Sequence, residues 1–133
     1  MSRPQFFVPS GYGELMRDQF HYSQAVKIGN RIETSGQGGW YNDFSFPATI
    51  TEEIVNAFDN LTRVLEMAGA NWSHVVHINS YHVPMCSEAL AVMVEQFRAR
   101  MPNQPPIWTC LGVPALGDHR MRVEIRATAA LGD

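Results

Sequence analysis

The stretch between residues 20 and 40 constrains the fold most, because two short runs rich in β-branched residues flank a pair of turn-forming residues. The runs are residues 25–28 and 31–34, and Gly29-Asn30 separates them. Glycine and asparagine both tolerate positive φ, so a two-residue hairpin turn is expected. The second run leads into residues 35–39, where three glycines let backbone N–H groups approach a ligand closely. The pattern predicts a hairpin ending in a ligand-contacting loop; a hairpin followed by a plain loose loop is the open alternative.

Two amphipathic helices are predicted further along the chain. Thr49 followed by Glu52 has the spacing of a helix N-cap, and Gly69 suits the residue just beyond a helix end. Between them, apolar residues recur at steps of three and four and predict one buried stripe: Ile54, Phe58, Leu61, Leu65 and Ala68. The second helix starts at Ser87 and ends before Pro102, with a predicted buried stripe of Leu90, Val94, Phe97 and Met101.

Strands occupy most of the remaining chain. Residues 74–83 and 107–113 are expected to be strands, and residues 121–129 alternate apolar and polar side chains, as in a strand with one buried face. A short edge strand at residues 6–8 and a helical turn at residues 14–19 are expected before the hairpin. The predicted fold class is α+β: a mixed sheet with two helices packed on one face. The other face also requires cover, which an oligomer interface supplies.

Composition excludes several classes of protein. The 133 residues suit one domain, residues 1–133, with 45% hydrophobic and 17% charged residues. A net charge of −3 gives no electrostatic basis for binding nucleic acid. No apolar run approaches the roughly 18 residues of a membrane span. Two cysteines, Cys86 and Cys110, make no disulfide framework, so a cytoplasmic location is expected.

Several short motifs resemble one known family. Residues 22–26, reading Tyr-Ser-Gln-Ala-Val, then Gly29 and then Ser35-Gly36-Gln37 match the order and spacing of the opening signature of the Rid family (YjgF-like proteins, reactive-intermediate deaminases). The resemblance continues more weakly to Thr109-Cys110 and Val123-Glu124-Ile125. It implies a chorismate-mutase-like homotrimer with ligand clefts between subunits. It also implies hydrolysis of enamines and imines to carbonyl compounds and ammonia, with no cofactor.

The resemblance also implies a set of site residues. Glu124 matches the glutamate that positions water on the last strand, and Tyr22 is expected to share the catalytic work. Ser35 would offer a hydroxyl and Gly36 a backbone N–H to the substrate, and Cys110 matches the cysteine kept in the cleft. For Glu124, an ordinary ion-pair ladder with the neighbouring arginines on its strand is the alternative. For Cys110, the alternative is a buried, inert thiol.

Trp108 is the main departure from the family pattern. It stands directly before Thr109-Cys110, where the deaminases carry an arginine that binds the substrate carboxylate. An indole has one N–H donor and no charge, so it cannot replace that salt bridge. Losing such a contact removes about 1.5–3 kcal/mol, roughly a tenfold to a hundredfold loss of affinity. The sequence therefore predicts poor activity on 2-iminopropanoate-like acids. Trp108 either offers a flat apolar or cation-binding surface or merely fills the space of the arginine, and the cleft becomes more apolar in both cases.

Three classes of function follow. The leading hypothesis is an enzyme acting on a small enamine, imine or related compound that lacks the usual carboxylate. The second is a non-catalytic trimer that binds a small ligand, favoured by the missing arginine. The weakest is a ribonuclease or translation inhibitor, because the chain is acidic. No metal site is expected, because His74, His77 and His82 on one strand do not point to a common face.

Overall fold

The computed structural model describes residues 3–132, which form a six-stranded mixed sheet with three α-helices. In chain order the elements are β1 (Gln5–Phe7), α1 (Tyr12–Phe20), β2 (Ala25–Ile28), β3 (Arg31–Thr34), α2 (Ile50–Met67), β4 (Val75–His82), α3 (Ser87–Arg100), β5 (Ile107–Gly112) and β6 (Val123–Ala130). The strand order is β1-β2-β3-β6-β4-β5. Strands β4 and β5 pair in parallel, and the other neighbours pair antiparallel. The predicted α+β class with a mixed sheet is confirmed.

The predicted hairpin forms β2 and β3. Ile28 pairs with Arg31 across a two-residue turn, and only Gly29 of the turn pair takes a positive φ, of 60°. Glycine meets that requirement without the steric penalty of a Cβ. The hairpin is flanked by β1 and by β6, so its second strand delivers the glycine-rich segment to the sheet centre.

Helix α2 supplies more of the core than any other element and covers one face of the sheet. Its N-cap, Thr49, accepts a hydrogen bond from the backbone N–H of Glu52 at 3.1 Å, and Gly69 follows its end with a φ of 91°. All five residues of its predicted stripe are buried. They pack against inward-facing residues of β3, β4 and β6: Ile32, Ile78, Val123, Ile125, Ala127 and Ala129. Among residues 3–132, none of the helices is long and apolar enough to cross a membrane.

The two faces of the sheet differ in burial. Along β6, Val123, Ile125, Ala127 and Ala129 are buried towards the helices, as the alternation predicts. The intervening side chains of β6 point to the opposite face and are half-buried. On that face the last strand, β5, presents Ile107 and Leu111, which are 67% and 48% exposed. This second face and the β5 edge are therefore the surfaces that a further copy of the chain would have to cover.

Two helices differ from the sequence-based expectation. The helical turn expected at residues 14–19 is a nine-residue helix, α1, so the described chain has three helices rather than two. The predicted stripe of α3 is wrong at Leu90 and Val94, which are exposed. The face of α3 that packs inward carries Ala89, Val92, Met93 and Gln96 instead.

Candidate active site

The glycine-rich segment is fixed to the sheet by backbone hydrogen bonds. Ser35 N–H donates to the Gln24 carbonyl at 2.8 Å, and Gln37 exchanges two bonds with Ile125 at 2.7 and 3.0 Å. These bonds hold Gly36 beside β6. The glycines serve contacts within the chain: a Cβ at Gly38 would collide with the Trp40 ring, and a Cβ at Gly39 would meet the α2 backbone.

Glu124 lies directly over the bare backbone of Gly36. A Cβ at position 36 would stand 2.5 Å from the Glu124 carboxyl group, so a larger residue there would displace this carboxylate from its position. The side chain is half-buried, and burial raises the pKa of Glu124 above its ordinary value. A carboxyl group with a raised pKa holds both protonation states closer to neutral pH, which suits it to proton transfer.

The arginines next to Glu124 along β6 are paired with other carboxylates. Arg122 donates through Nε to the fully buried Glu53 at 2.6 Å, and its NH2 group donates to the Pro47 carbonyl at 2.9 Å. Arg126 donates to Glu33 at 2.7 Å. The ion-pair alternative is therefore wrong for Glu124, because both guanidinium groups are held elsewhere. Burial is therefore the cause of the raised pKa of Glu124.

Tyr22 and Ser35 lie near this carboxylate but differ in what they offer. Tyr22 borders the same cavity as Glu124, and its pKa is raised chiefly by burial and further by the Glu124 charge. The Ser35 hydroxyl donates to the Ser23 carbonyl at 2.7 Å. This bond uses the hydroxyl proton, so Ser35 can act towards a ligand only as a hydrogen-bond acceptor.

Two cavities meet at Tyr22, each of about 370 Å³. One, the β2 pocket, is lined by Phe6, His21, Tyr22, Ser23, Ala25, Val26, Glu33, Thr34 and Ser35. The other, the α1 pocket, is lined by Met16, Phe20, Tyr22, Trp40, Phe44, Gly117, Asp118, Met121 and Glu124. Glu124 lines the α1 pocket, so a molecule that reacts at its carboxyl group would lie next to that pocket.

Trp108 and Cys110 lie apart from these residues within one chain. In the register of β4 and β5, Trp108 pairs with Ile78 and therefore shares its helix-covered face. The indole packs edge-on against Phe97, with ring centroids 4.9 Å apart, and its N–H donates to Ser80 Oγ at 2.9 Å. Cys110 lies near Met85, with the two sulfur atoms 4.0 Å apart. A single chain thus brings together Tyr22, Ser35, Gly36 and Glu124 but leaves the β5 pair separate.

Sequence reasoning missed several residues that shape the α1 pocket. Met16 and Met121 join Trp40 and Phe44 only in three dimensions, in a small apolar cluster apart from the main core, and the exposed Phe20 lines the same pocket. The one signal was the concentration of rings in residues 40–48, which solvated loops seldom carry. A half-buried carboxyl group and a tyrosine side chain that line the same small cavity are features typical of small-molecule sites.

Comparisons with known proteins point in the same direction. The family described as endoribonuclease L-PSP matches residues 16–131. Protein mmf2, mitochondrial, of Schizosaccharomyces pombe is 31% identical over 111 residues, covering 82% of this chain and 86% of that protein. A 2-iminobutanoate/2-iminopropanoate deaminase of Dermatophagoides farinae is 40% identical over 62 residues, covering 45% and 48%. The crystal structure of RidA from the Antarctic bacterium Psychrobacter sp. has a TM-score of 0.74 and 29% identity, covering 82% and 87%.

The chain therefore belongs to the YjgF/Rid family. The family match spans all of the sheet except β1, all of α2 and α3, and every predicted site residue from Tyr22 to Glu124. The cytoplasmic location expected from the cysteines stays a prediction, since the name of the fission-yeast relative places that protein in mitochondria.

Proposed function

We propose that this protein is an enzyme that hydrolyses the C=N bond of a small reactive imine, or of the imine tautomer of an enamine, that lacks a carboxylate. The observation that carries the proposal is the Glu124 carboxyl group, desolvated, free of its neighbouring arginines and seated over Gly36 beside Tyr22. The deaminase named among its relatives supports a reaction at carbon–nitrogen bonds.

The proposed reaction needs one group that both accepts and returns a proton. Water adds through its oxygen to the C=N carbon, and the proton it loses passes by way of Glu124 to the nitrogen. The resulting carbinolamine gives its hydroxyl proton, again by way of Glu124, to the nitrogen as the C–N bond breaks. This step releases ammonia or an amine and leaves a carbonyl compound. Tyr22 is proposed to orient the substrate, with Ser35 Oγ as an acceptor and the Gly36 N–H as a donor.

We further propose that the site is completed in a homotrimer. Trp108 and Cys110 lie on the edge strand β5, away from Glu124 of their own chain, while β5 exposes Ile107 and Leu111. A second copy that docks through this edge would bring its own Trp108 and Cys110 to the cleft of the first. The cleft then has an indole where the deaminases have an arginine, which accounts for a substrate without a carboxylate.

The substitution Glu124→Gln tests the proposal. Ammonia or amine release is measured from uncharged imines made in situ by an amine oxidase and from 2-imino acids made by an amino acid oxidase. The wild type should accelerate hydrolysis of an uncharged imine, and Glu124→Gln should lower the rate about a hundredfold or more. The 2-imino acids should react roughly tenfold to a hundredfold more slowly than the uncharged imine, because no arginine binds their carboxylate.

Two controls make the result decisive. Glu95→Gln, at an exposed position of α3, should leave the rate unchanged. Glu124→Gln should unfold at a temperature no lower than the wild type at pH 7, since burial disfavours the charged carboxylate there. Full activity in Glu124→Gln would contradict the proposed role. Tight binding of an imine analogue without any turnover would favour the alternative of a binding protein.

The family description names an endoribonuclease, and this activity has less support in the structure. The side chains lining the α1 pocket include the acidic Asp118 and Glu124, and the β2 pocket includes Glu33. Proteins that hold an RNA backbone neutralise its phosphates with lysine and arginine. The cavities beside Glu124 thus favour a small molecule.

A further inference from the structure

The α1 pocket has walls that suit a ring or a bulky apolar group. Met16 and Phe20 come from α1, while Trp40 and Phe44 come from the loop after the glycine-rich segment. The Trp40 ring packs against Phe44, with centroids 5.6 Å apart. Methionine and aromatic side chains give a polarisable surface that adapts to flat ligands.

The charges lining this pocket are acidic. Asp118 accepts three hydrogen bonds from Arg120, at 2.9 to 3.0 Å, which lower the pKa of Asp118 to about 2 and keep it ionised. Glu124 is the second carboxyl group. Neither lysine nor arginine is among the nine lining residues. Arg120 already pairs with Asp118, so Glu124 is the carboxyl group that a ligand carboxylate would meet without a cationic partner. An uncharged or cationic group would meet no such repulsion.

The backbone holds the pocket walls in conformations that bulky residues disfavour. Phe44 has a φ of 63°, and His21, between Phe20 and Tyr22, has a φ of 58°. Within residues 3–132 these two are the non-glycine residues with positive φ; Phe44 lines the α1 pocket, and His21 lines the adjoining β2 pocket. Strained residues of this type cluster at ligand sites, where the surrounding structure fixes them.

We propose that the α1 pocket receives the apolar, most simply aromatic, substituent of an uncharged or cationic imine whose C=N carbon lies at Glu124. The part that concerns the C=N carbon rests on the proposed function, whereas binding of the substituent does not. Phe20 is then a residue that determines specificity. Its side chain is 65% exposed in the single chain, so it can be shortened without opening the core.

Binding of two stable probes tests this inference by titration calorimetry. 2-Phenylethylamine is cationic, and 3-phenylpropanoate carries a carboxylate on the same ring-bearing chain. The amine should bind, and the acid should bind about tenfold or more weakly. Phe20→Ala should weaken amine binding about tenfold, a loss equal to roughly 1.4 kcal/mol. Phe6→Ala is the matched control, because Phe6 is 66% exposed and lines the β2 pocket instead.

The outcomes separate this inference from the proposed function. Equal weakening by Phe6→Ala, equal affinity for both probes, or no binding of either would overturn the inference. Amine binding that depends on Phe20, with no turnover of any imine, would support the pocket and sink the proposed function. Imine hydrolysis that depends on Glu124, with the KM of aromatic imines unchanged in Phe20→Ala, would support the proposed function and contradict the role of the α1 pocket.

Discussion

His82 is a fully buried histidine at the end of β4, and only one of its ring nitrogens has a partner. The Ser80 hydroxyl accepts from the Trp108 N–H and has one proton of its own to donate. Donation of that proton to His82 Nε2, 2.9 Å away, places the imidazole proton on Nδ1. In the part of the chain that the structure describes, Nδ1 has no hydrogen-bond partner. The site thus accommodates a neutral ring, and burial lowers the pKa of His82.

This lowered pKa predicts a loss of stability in mild acid. The folded state binds the His82 proton less readily than the unfolded state, whose histidine pKa is about 6.5. The stabilisation is therefore complete above that pH and declines as pH falls towards the folded value, by up to about 1.4 kcal/mol per pH unit. Urea unfolding between pH 7 and 5 should show this decline in the wild type and a smaller one in His82→Gln.

A matched control isolates the effect of burial. His119 has a side chain that is 93% exposed, so His119→Gln should keep the wild-type pH dependence. The titration of Glu124 is common to all three proteins and cancels in the comparison. Parallel curves for the wild type and His82→Gln would show that this histidine does not control acid stability.

Helix α2 positions the glycine-rich segment through two asparagines one turn apart. Asn60 is fully buried and donates to the carbonyls of Gly38 and Trp40 at 2.8 and 2.9 Å. Asn56 is half-buried and donates to the carbonyls of Gly39 and Trp40. The helix that builds the core therefore also fixes the loop between Gly36 and the α1 pocket.

Removing the Asn60 amide should loosen that loop. We expect Asn60→Ala to lower the free energy of unfolding by about 1–3 kcal/mol, because the Gly38 carbonyl loses its side-chain donor and the Trp40 carbonyl keeps only Asn56. Asn60→Asp should be worse, since it sets a carboxylate against the same carbonyls. Urea unfolding gives the magnitude, and hydrogen exchange of residues 36–44 should accelerate. Asn56→Ala serves as the milder comparison, and an Asn60→Ala loss below roughly 0.5 kcal/mol would contradict this role.

The sequence predicts an element well when its hydrophobic pattern is compatible with only one buried face. The three- and four-residue spacing of apolar residues in α2 and the strict alternation in β6 each define a single buried face. Residues 89–94 of α3 are all apolar, so several faces suit burial and the sequence alone does not choose among them. Close packing of α3 against α2 selects Ala89 and Met93 and leaves Leu90 exposed.

The candidate site was predictable only in part, because some of its walls depend on contacts between residues that are distant in the sequence. The family signature indicates Tyr22, Gly36 and Glu124, and the structure places these three together. The α1 pocket depends on how α1 docks, and a buried chain of side-chain hydrogen bonds fixes that docking. Tyr12 OH donates to Gln37 at 2.6 Å, and Gln37 donates to Gln24 at 2.7 Å. Such contacts across 13 to 25 residues leave no periodic trace in sequence.

At the scale of the whole molecule, the single chain leaves its proposed site divided. Glu124 and the two pockets lie at one end of the second sheet face, while Trp108 and Cys110 lie on β5 at the sheet edge. An unpaired edge strand with apolar side chains is a surface that soluble proteins usually cover. Ile107 and Leu111 on β5 form such a surface, and Leu90 and Val94 of α3 are also exposed, on the helix side of the sheet.

If the copies assemble through this edge, a single charged substitution on β5 should dissociate the trimer and also abolish imine hydrolysis. Wild-type protein should sediment at three times the 15.0-kDa chain mass. Leu111→Asp should sediment as a monomer with an unchanged circular dichroism spectrum, because Leu111 is 48% exposed and lies outside the core. Imine hydrolysis should fall with the assembly, although Glu124 is intact. Met67→Asp, at an equally exposed position on α2, should alter neither property. A wild-type monomer at all concentrations, or a fully active Leu111→Asp monomer, would show that one chain holds the complete site.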